Sequence, residues 1–289
     1  MAAGLSLADG NTWGIVAGDE RAAAIVSRLK DAMQLQHNDT PTYRLFVFSN
    51  GNNSYIISPH ASLGHPMVIP RDLLTSDSEN TFSCFVPPAR NKDILANQLI
   101  RLSLYFVRET QRSGGFLLHG ALAVKNGGGV ILSGPGRVGK TTASRRLPSS
   151  WRSLSDDATL VVRGEDGAYW AHPWPTWSYF MSGGPGGTWD VSHAVPLKAI
   201  FFLKQEQQDR VEPVTPGQAV CLLVELAEHT SWSMAHGQGR DVARKLRLQR
   251  FENICSLAKL ITCYSLHISL DGAFWEAIEQ IMTLSNNTT

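Results

Sequence analysis

Apolar residues recur at helical spacing from Arg21 to Leu35, through Ala24, Ile25, Leu29, Ala32 and Met33. That spacing predicts an amphipathic helix. Short apolar runs follow at Tyr43–Phe48, Tyr55–Ile57, Met67–Ile69 and Thr81–Val86, separated by Gly, Asn, Ser and Pro. They read as strands between turns. Residues 1–90 are therefore expected to form a small α/β module, for docking, packing or substrate recognition. From Asn91 to Gln111, Ile94, Leu95, Leu99, Leu102, Tyr105 and Phe106 share one side of a long helix. This helix (91–113) is expected to bridge the module to a second domain at 114–289.

The second domain alternates strand and helix patterns. Strands are expected at Phe116–His119, Ala121–Lys125, Val130–Leu132, Ser153–Val162, Ala168–His172, Lys198–Leu203 and Ala258–Ile268. Helices are expected from Thr141 to Pro148 and at Pro216–Glu228, Asp241–Ala258 and Gly272–Met282. The connection lengths suit a compact α/β domain.

Composition narrows the setting. The net charge of +1 implies no bulk polyanion, so no nucleic-acid partner is expected. No apolar run approaches the ~20 residues of a membrane span, and the N-terminus lacks a basic region followed by an apolar one. Cys84, Cys221, Cys255 and Cys263 form no CxxC pair. Reduced thiols in a cytoplasmic protein are expected.

The chemistry concentrates in LSGPGRVGKTTASRRL. Its spacing, Gly134-x-x-x-x-Gly139-Lys140-Thr141, fits a P-loop, and a buried-strand signal precedes it while a helix signal follows. Gly134, Gly136 and Gly139 permit sharp turning and close approach to phosphate. The amides from Gly134 through Arg137, Val138 and Gly139 to Thr142 would face the anion. Lys140 would reach the outer phosphates and the Thr141 hydroxyl would ligate Mg²⁺.

Asp156-Asp157 follows sixteen residues after Lys140. On a continuous strand adjacent residues face opposite sides, so the carboxylates would divide the work. One would take a proton from an acceptor hydroxyl; the other would hold the strand or assist the metal. Alternatively the pair caps its own backbone in a turn. His119, before Gly120, is either a structural strand-end histidine or a partner of this pair.

The set LLHGALAVKNGGGVILSGPGRVGKTTASRRL…SLSDDATLVV resembles the C-terminal catalytic domain of HPr kinase/phosphorylase. The stretch AHPWPTWSYFMSGGPGGTWDVSHAVPLKAIFFL is similar to the HPr-kinase-like proteins of the SynChlorMet cassette, a gene group that also contains a small peptide and radical SAM proteins. The resemblance implies an α/β P-loop kinase domain of the HPr kinase and phosphoenolpyruvate carboxykinase-like type. It implies ATP and Mg²⁺ as cofactors, with Asp156 the favoured base and Asp157 next, also aiding the metal. His119 would tune the pair, and Lys140 would contribute to catalysis. A base beside a metal and a lysine is expected to have a depressed pKa. A small ribosomal precursor peptide is the implied partner, phosphorylated on a serine-type hydroxyl, and homo-oligomers are implied. HPr kinases carry an acidic residue and an arginine where this chain has Ser182 and Gly184. That departure puts phosphorolysis in doubt. It also keeps open a nucleotide-binding recognition module without transfer; the fold alone keeps open a small-molecule kinase.

Three further groups have two readings each. Trp170, His172, Trp174, Trp177 and Trp189, among prolines and glycines, either anchor a peptide or pin a loop. Lys198 either replaces the absent arginine or is solvated. Arg240, Arg244, Lys245, Arg247 and Arg250 give a basic helix, either solvated or in contact with an acidic leader peptide.

Overall fold

The computed structural model describes residues 3–49, 55–58, 67–70, 74–78, 80–88, 91–177, 187–235 and 240–286. The first sheet contains β1 (Ala3–Ser6), β2 (Thr12–Ala17), β3 (Tyr43–Phe48), β6 (Leu74–Ser78) and β7 (Thr81–Phe85), in the order β1-β2-β3-β7-β6. Strands β2, β3 and β7 run parallel. A separate antiparallel pair joins β4 (Tyr55–Ser58) to β5 (Met67–Pro70). Strands β1 and β2 escape the sequence pattern because they are short and interrupted by glycine, Gly4 pairing with Gly14.

Helix α1 (Glu20–Met33) starts where the Asp19 side chain accepts from the Ala22 amide at 2.8 Å, and ends at Gln34 in the left-handed region. Its buried face is Ala22, Ile25, Val26, Leu29, Ala32 and Met33. Helix α2 (Lys92–Arg112) is capped by Asn91, which accepts from the Ile94 amide. It buries Leu99, Leu102 and Phe106 beneath an aromatic group around Trp13, whose ring stacks on Tyr43 with centroids 4.7 Å apart and meets Phe106 edge-on. The same buried cluster continues into Leu117, Leu160, Trp174, Trp189 and Val191.

The second sheet holds β8 (Phe116–Lys125), β9 (Gly128–Ser133), β10 (Arg152–Ser155), β11 (Ala158–Arg163), β12 (Tyr169–Trp174), β13 (Val195–Gln205), β14 (Arg210–Pro213) and β15 (Thr262–Ile268). Strands β8, β11, β12, β13 and β9 hydrogen-bond in a closed circuit: β8 to β11, β11 to β12, β12 to β13, β13 to β9 and β9 back to β8. Helices α3 (Lys140–Arg146), α4 (Pro216–Ala235), α5 (Arg240–Leu257) and α6 (Phe274–Asn286) cover it. Val130, Leu132, Ala143, Phe201, Leu203 and Phe274 form the apolar layer under α3.

Two expected boundaries change near the site; elsewhere the last strand starts at Thr262 and the helix from Pro216 runs on to Ala235. Phe116 to Lys125 is one strand, so His119 lies inside it. Ser153 to Val162 is two strands, because the chain bends at Asp156-Asp157. Strand β10 pairs with Leu122–Val124 of β8 and β11 with Phe116–His119, and the bend lets the chain pass from one stretch to the other. All four cysteines are free thiols, and no helix among the described residues is long and apolar enough to cross a membrane.

Candidate active site

Register brings the site together. Ser133, the last residue of β9, pairs with Gly120 of β8 on one side and with Phe202 of β13 on the other. His119 of β8 pairs with Ala158, the residue after the bend. The loop after Ser133, His119 and Asp157 therefore share one edge of the sheet. The edge is tightly tied: the Gly120 amide donates to the Asp157 carbonyl at 2.9 Å, the Ser133 hydroxyl to the His119 carbonyl at 2.6 Å, and the Thr159 hydroxyl to the Gly120 carbonyl at 2.9 Å. Gly120 is required here, because a Cβ would stand 2.6 Å from Ile131 Cγ2 and 3.2 Å from the Leu132 carbonyl.

The loop is a cradle. Gly139 turns it into α3 at φ 105°, a left-handed conformation that glycine adopts without penalty. Gly136 has open space where a side chain would stand. The Val138 amide donates to the Pro135 carbonyl, but the amides of Gly136, Arg137 and Gly139 have no hydrogen-bond acceptor among the described residues. Gln205 at the end of β13 donates to the Val138 carbonyl and braces the loop. Lys140 is buried, its Nζ donating to the Gly134 and Pro135 carbonyls at 2.9 and 3.0 Å. Burial pushes its pKa down, and Asp157 opposes that shift. Thr141 and Thr142 open the helix beside it, Thr141 half-buried and Thr142 exposed. Backbone donors without an acceptor beside an ammonium fit a polyphosphate.

The two carboxylates have different surroundings. His119 Nδ1 lies 3.4 Å from Asp157 Oδ1 and 3.1 Å from the Asp157 carbonyl. Asp156 instead accepts from the Thr176 hydroxyl at 3.1 Å. Burial raises the Asp157 pKa above the ordinary carboxylate value, while His119 and Lys140 pull against it. At Asp157 burial outweighs the opposing pull of His119 and Lys140. Burial also lowers the His119 pKa, against the pull of Asp157. A neutral imidazole with its proton on Nδ1 satisfies the contact to the Asp157 carbonyl.

One neighbour carried no sequence signal. His229 of α4 stacks on His119, with centroids 5.8 Å apart and planes 20° apart. The two lie 110 positions apart, and only the docking of α4 on β8 joins them. Thr176 and Gln205 are of the same kind: nothing local marks them.

The other groups separate. Trp174, Trp177 and Trp189 are buried in the core, Trp177 donating to the Ser103 hydroxyl of α2, so these three pin the chain. His172 is fully buried and structural: its Nε2 accepts from the Ala8 amide and its Nδ1 donates to the Val191 carbonyl. Lys198 is exposed beside Gly128, at the opposite end of β9 from the loop, and is solvated. Ser182, Gly183, Gly184 and Gly186 lie outside the described residues. A cavity of about 390 Å³ lined by Lys125, Trp151, Arg152 and His193 also opens at that opposite end, away from the loop.

The family model described as SynChlorMet cassette protein ScmC matches residues 82–283, more than half of the chain. The chain belongs to the ScmC family. The matched segment contains all the site residues above and excludes most of the first sheet. Among solved structures, the Hpr(Ser) kinase/phosphatase from Coxiella burnetii is similar at 12% identity, over 60% of this chain and 89% of that chain, with a TM-score of 0.27. A comparison with curated proteins finds no match.

Proposed function

We infer that this ScmC-family protein is a phosphotransferase that moves the γ-phosphoryl group of ATP to a serine-type hydroxyl of a ribosomally made peptide. One observation carries the reading: the loop with its free amides and Lys140 shares an edge with a half-buried carboxylate–imidazole pair, Asp157 and His119. The cassette to which the family belongs supplies the peptide class.

The amides of Gly136, Arg137 and Gly139 would hold phosphate oxygens, and Lys140 would exchange its loop carbonyls for the outer phosphates. Thr141 would ligate Mg²⁺, with Asp157 to assist; bound there, the ion would neutralise phosphate charge. In the transfer, the acceptor oxygen forms a bond to the γ-phosphorus. The bond from that phosphorus to the bridging oxygen breaks, and its electron pair leaves with ADP. The acceptor proton passes to a carboxylate of the bend. Asp157 suits this task, because a raised pKa brings a base closer to the proton it must take. His119 orients Asp157, and Asp156, tied to Thr176, holds the bend. Most of the rate enhancement comes from positioning and charge neutralisation.

Ser182, where HPr kinases carry an acidic residue, favours one second reading: a nucleotide-binding peptide-recognition module without transfer. The test is incubation with Mg-ATP and the small peptide of the cassette, followed by mass spectrometry. A gain of one phosphoryl group, lost in Lys140→Ala and Asp157→Asn, is expected. ATP binding without any mass gain would overturn the kinase in favour of the recognition module.

A further inference from the structure

Helix α5 has two different faces. Leu246, Arg250, Ile254 and Leu257 point inward, and the helix is clamped to its surroundings. Gln111 donates to the Leu246 carbonyl, and Asn253 donates to the Gln111 and Gly115 carbonyls. The outward face is both apolar and basic. Val242 is 41% exposed, Leu248 55% and Phe251 46%, and Leu260 just beyond the helix is 63% exposed. Among the described residues only one other large apolar side chain, Leu270, is exposed. Four of five such side chains thus gather at one helix, whereas scattered single ones would need no explanation.

Charge follows the same distribution. Arg250 points inward, and the exposed charges of the helix are Arg240, Arg244, Lys245 and Arg247 against Asp241 and Glu252, a net +2 in a chain whose total is +1. Positions 244, 248 and 251 follow one another at turn spacing, so Arg244, Leu248 and Phe251 form one stripe. Lys245 and Arg247 flank it, both exposed.

Helix α4 touches both this helix and the strand that carries His119. Glu228 of α4 pairs with Arg250 and, at 3.5 Å, with Arg247. The next residue, His229, stacks on His119.

We propose that the outer face of α5 docks an acidic, leucine-rich segment of the peptide whose hydroxyl is phosphorylated, carboxylates on Arg244 and Lys245 and apolar side chains on Leu248 and Phe251. Amphipathic segments are read this way by grooves and helix faces elsewhere. The proposal rests on the peptide-kinase reading, and the test separates the two. A short fluorescein-labelled peptide alternating Glu and Leu, and its Lys/Leu counterpart, are titrated with the full chain without nucleotide, and anisotropy is read. The Glu/Leu peptide is expected to bind and the Lys/Leu peptide not. Arg244→Glu/Lys245→Glu and Leu248→Ser/Phe251→Ser, all at exposed positions, should each weaken binding at least about tenfold, or about 1.4 kcal/mol, while Lys140→Ala leaves it intact. Equal binding by wild type and both double variants overturns the proposal. So does failure of the Glu/Leu peptide to bind while phosphatidylserine vesicles, or a second copy of the chain, engage the same face. If docking holds but no transfer to the cassette peptide occurs, the kinase reading fails alone. If transfer occurs with an unchanged KM in both double variants, the docking proposal fails alone.

Discussion

His119 Nδ1 faces both the backbone carbonyl of Asp157, at 3.1 Å, and its carboxylate, at 3.4 Å. One imidazole thus fixes the bend and the orientation of the carboxylate together. His119→Gln should lower kcat by about ten- to a hundredfold, less than the 10²–10⁴ of a group that itself transfers the proton. Lys140, Asp156 and His229 also act on Asp157, and His119 holds its pKa down against burial. Activity requires the ionised carboxylate, so it falls as the pH drops through the raised Asp157 value. In His119→Gln that acid limb should move to higher pH, a shift that loss of structure alone would not produce. The pH profile of kcat/KM checks it.

Lys140 lies folded against its own loop, held by two carbonyls. In the proposed function phosphate oxygens replace those carbonyls. Lys140→Met should therefore leave the fold intact and abolish measurable ATP binding in calorimetry. A variant that still binds ATP with wild-type affinity would remove Lys140 from the phosphate site.

His172 is buried with both ring nitrogens engaged, and burial pushes its pKa down to about 4 from 6.5. The folded state therefore favours the neutral ring. Its contribution is complete above the unfolded pKa and declines as the pH falls from 6.5 toward 4, by an amount on the order of 3 kcal/mol. Thermal unfolding should show a lower Tm at pH 5 than at pH 7. His172→Gln should be less stable at pH 7 and should show a shallower decline. Parallel pH curves for the two proteins would refute the assignment.

Gly120→Ala places a Cβ 2.6 Å from Ile131 Cγ2, in the strand pair that sets the site. Overpacking of this kind costs about 1–3 kcal/mol. Urea denaturation should show that loss. Activity should fall as well, because the Gly120 amide that the added Cβ displaces also holds the Asp157 carbonyl.

The phosphate loop was legible because its requirement is local: glycines, a lysine and a hydroxyl at fixed spacing between a strand and a helix. The helices were legible from their buried faces, α1 and α2 within a residue or two at each end. The bend at Asp156-Asp157 was not, because Ser153 to Ser155 and Ala158 to Val162 each read as strand, and periodicity cannot see that they pair with different stretches of β8. His229 was illegible for a stronger reason: a histidine on an amphipathic helix has no mark until the helix docks. The tryptophans between Trp174 and Trp189 fit both a recognition loop and a core, and burial distinguishes the two.

The Ala8 amide and His172 Nε2 are 164 positions apart in the chain. The Trp189 and Val191 amides likewise donate to the Ala32 and Met33 carbonyls. The first strands and helix α1 leave the ribosome long before these partners exist. At about 5–20 residues per second the interval is roughly 8–33 s, during which Leu5, Ile15, Leu29 and Met33 lack part of the core that buries them. The start of the chain is thus committed late, and a nascent chain stalled before Val191 should present that unfinished surface to chaperones.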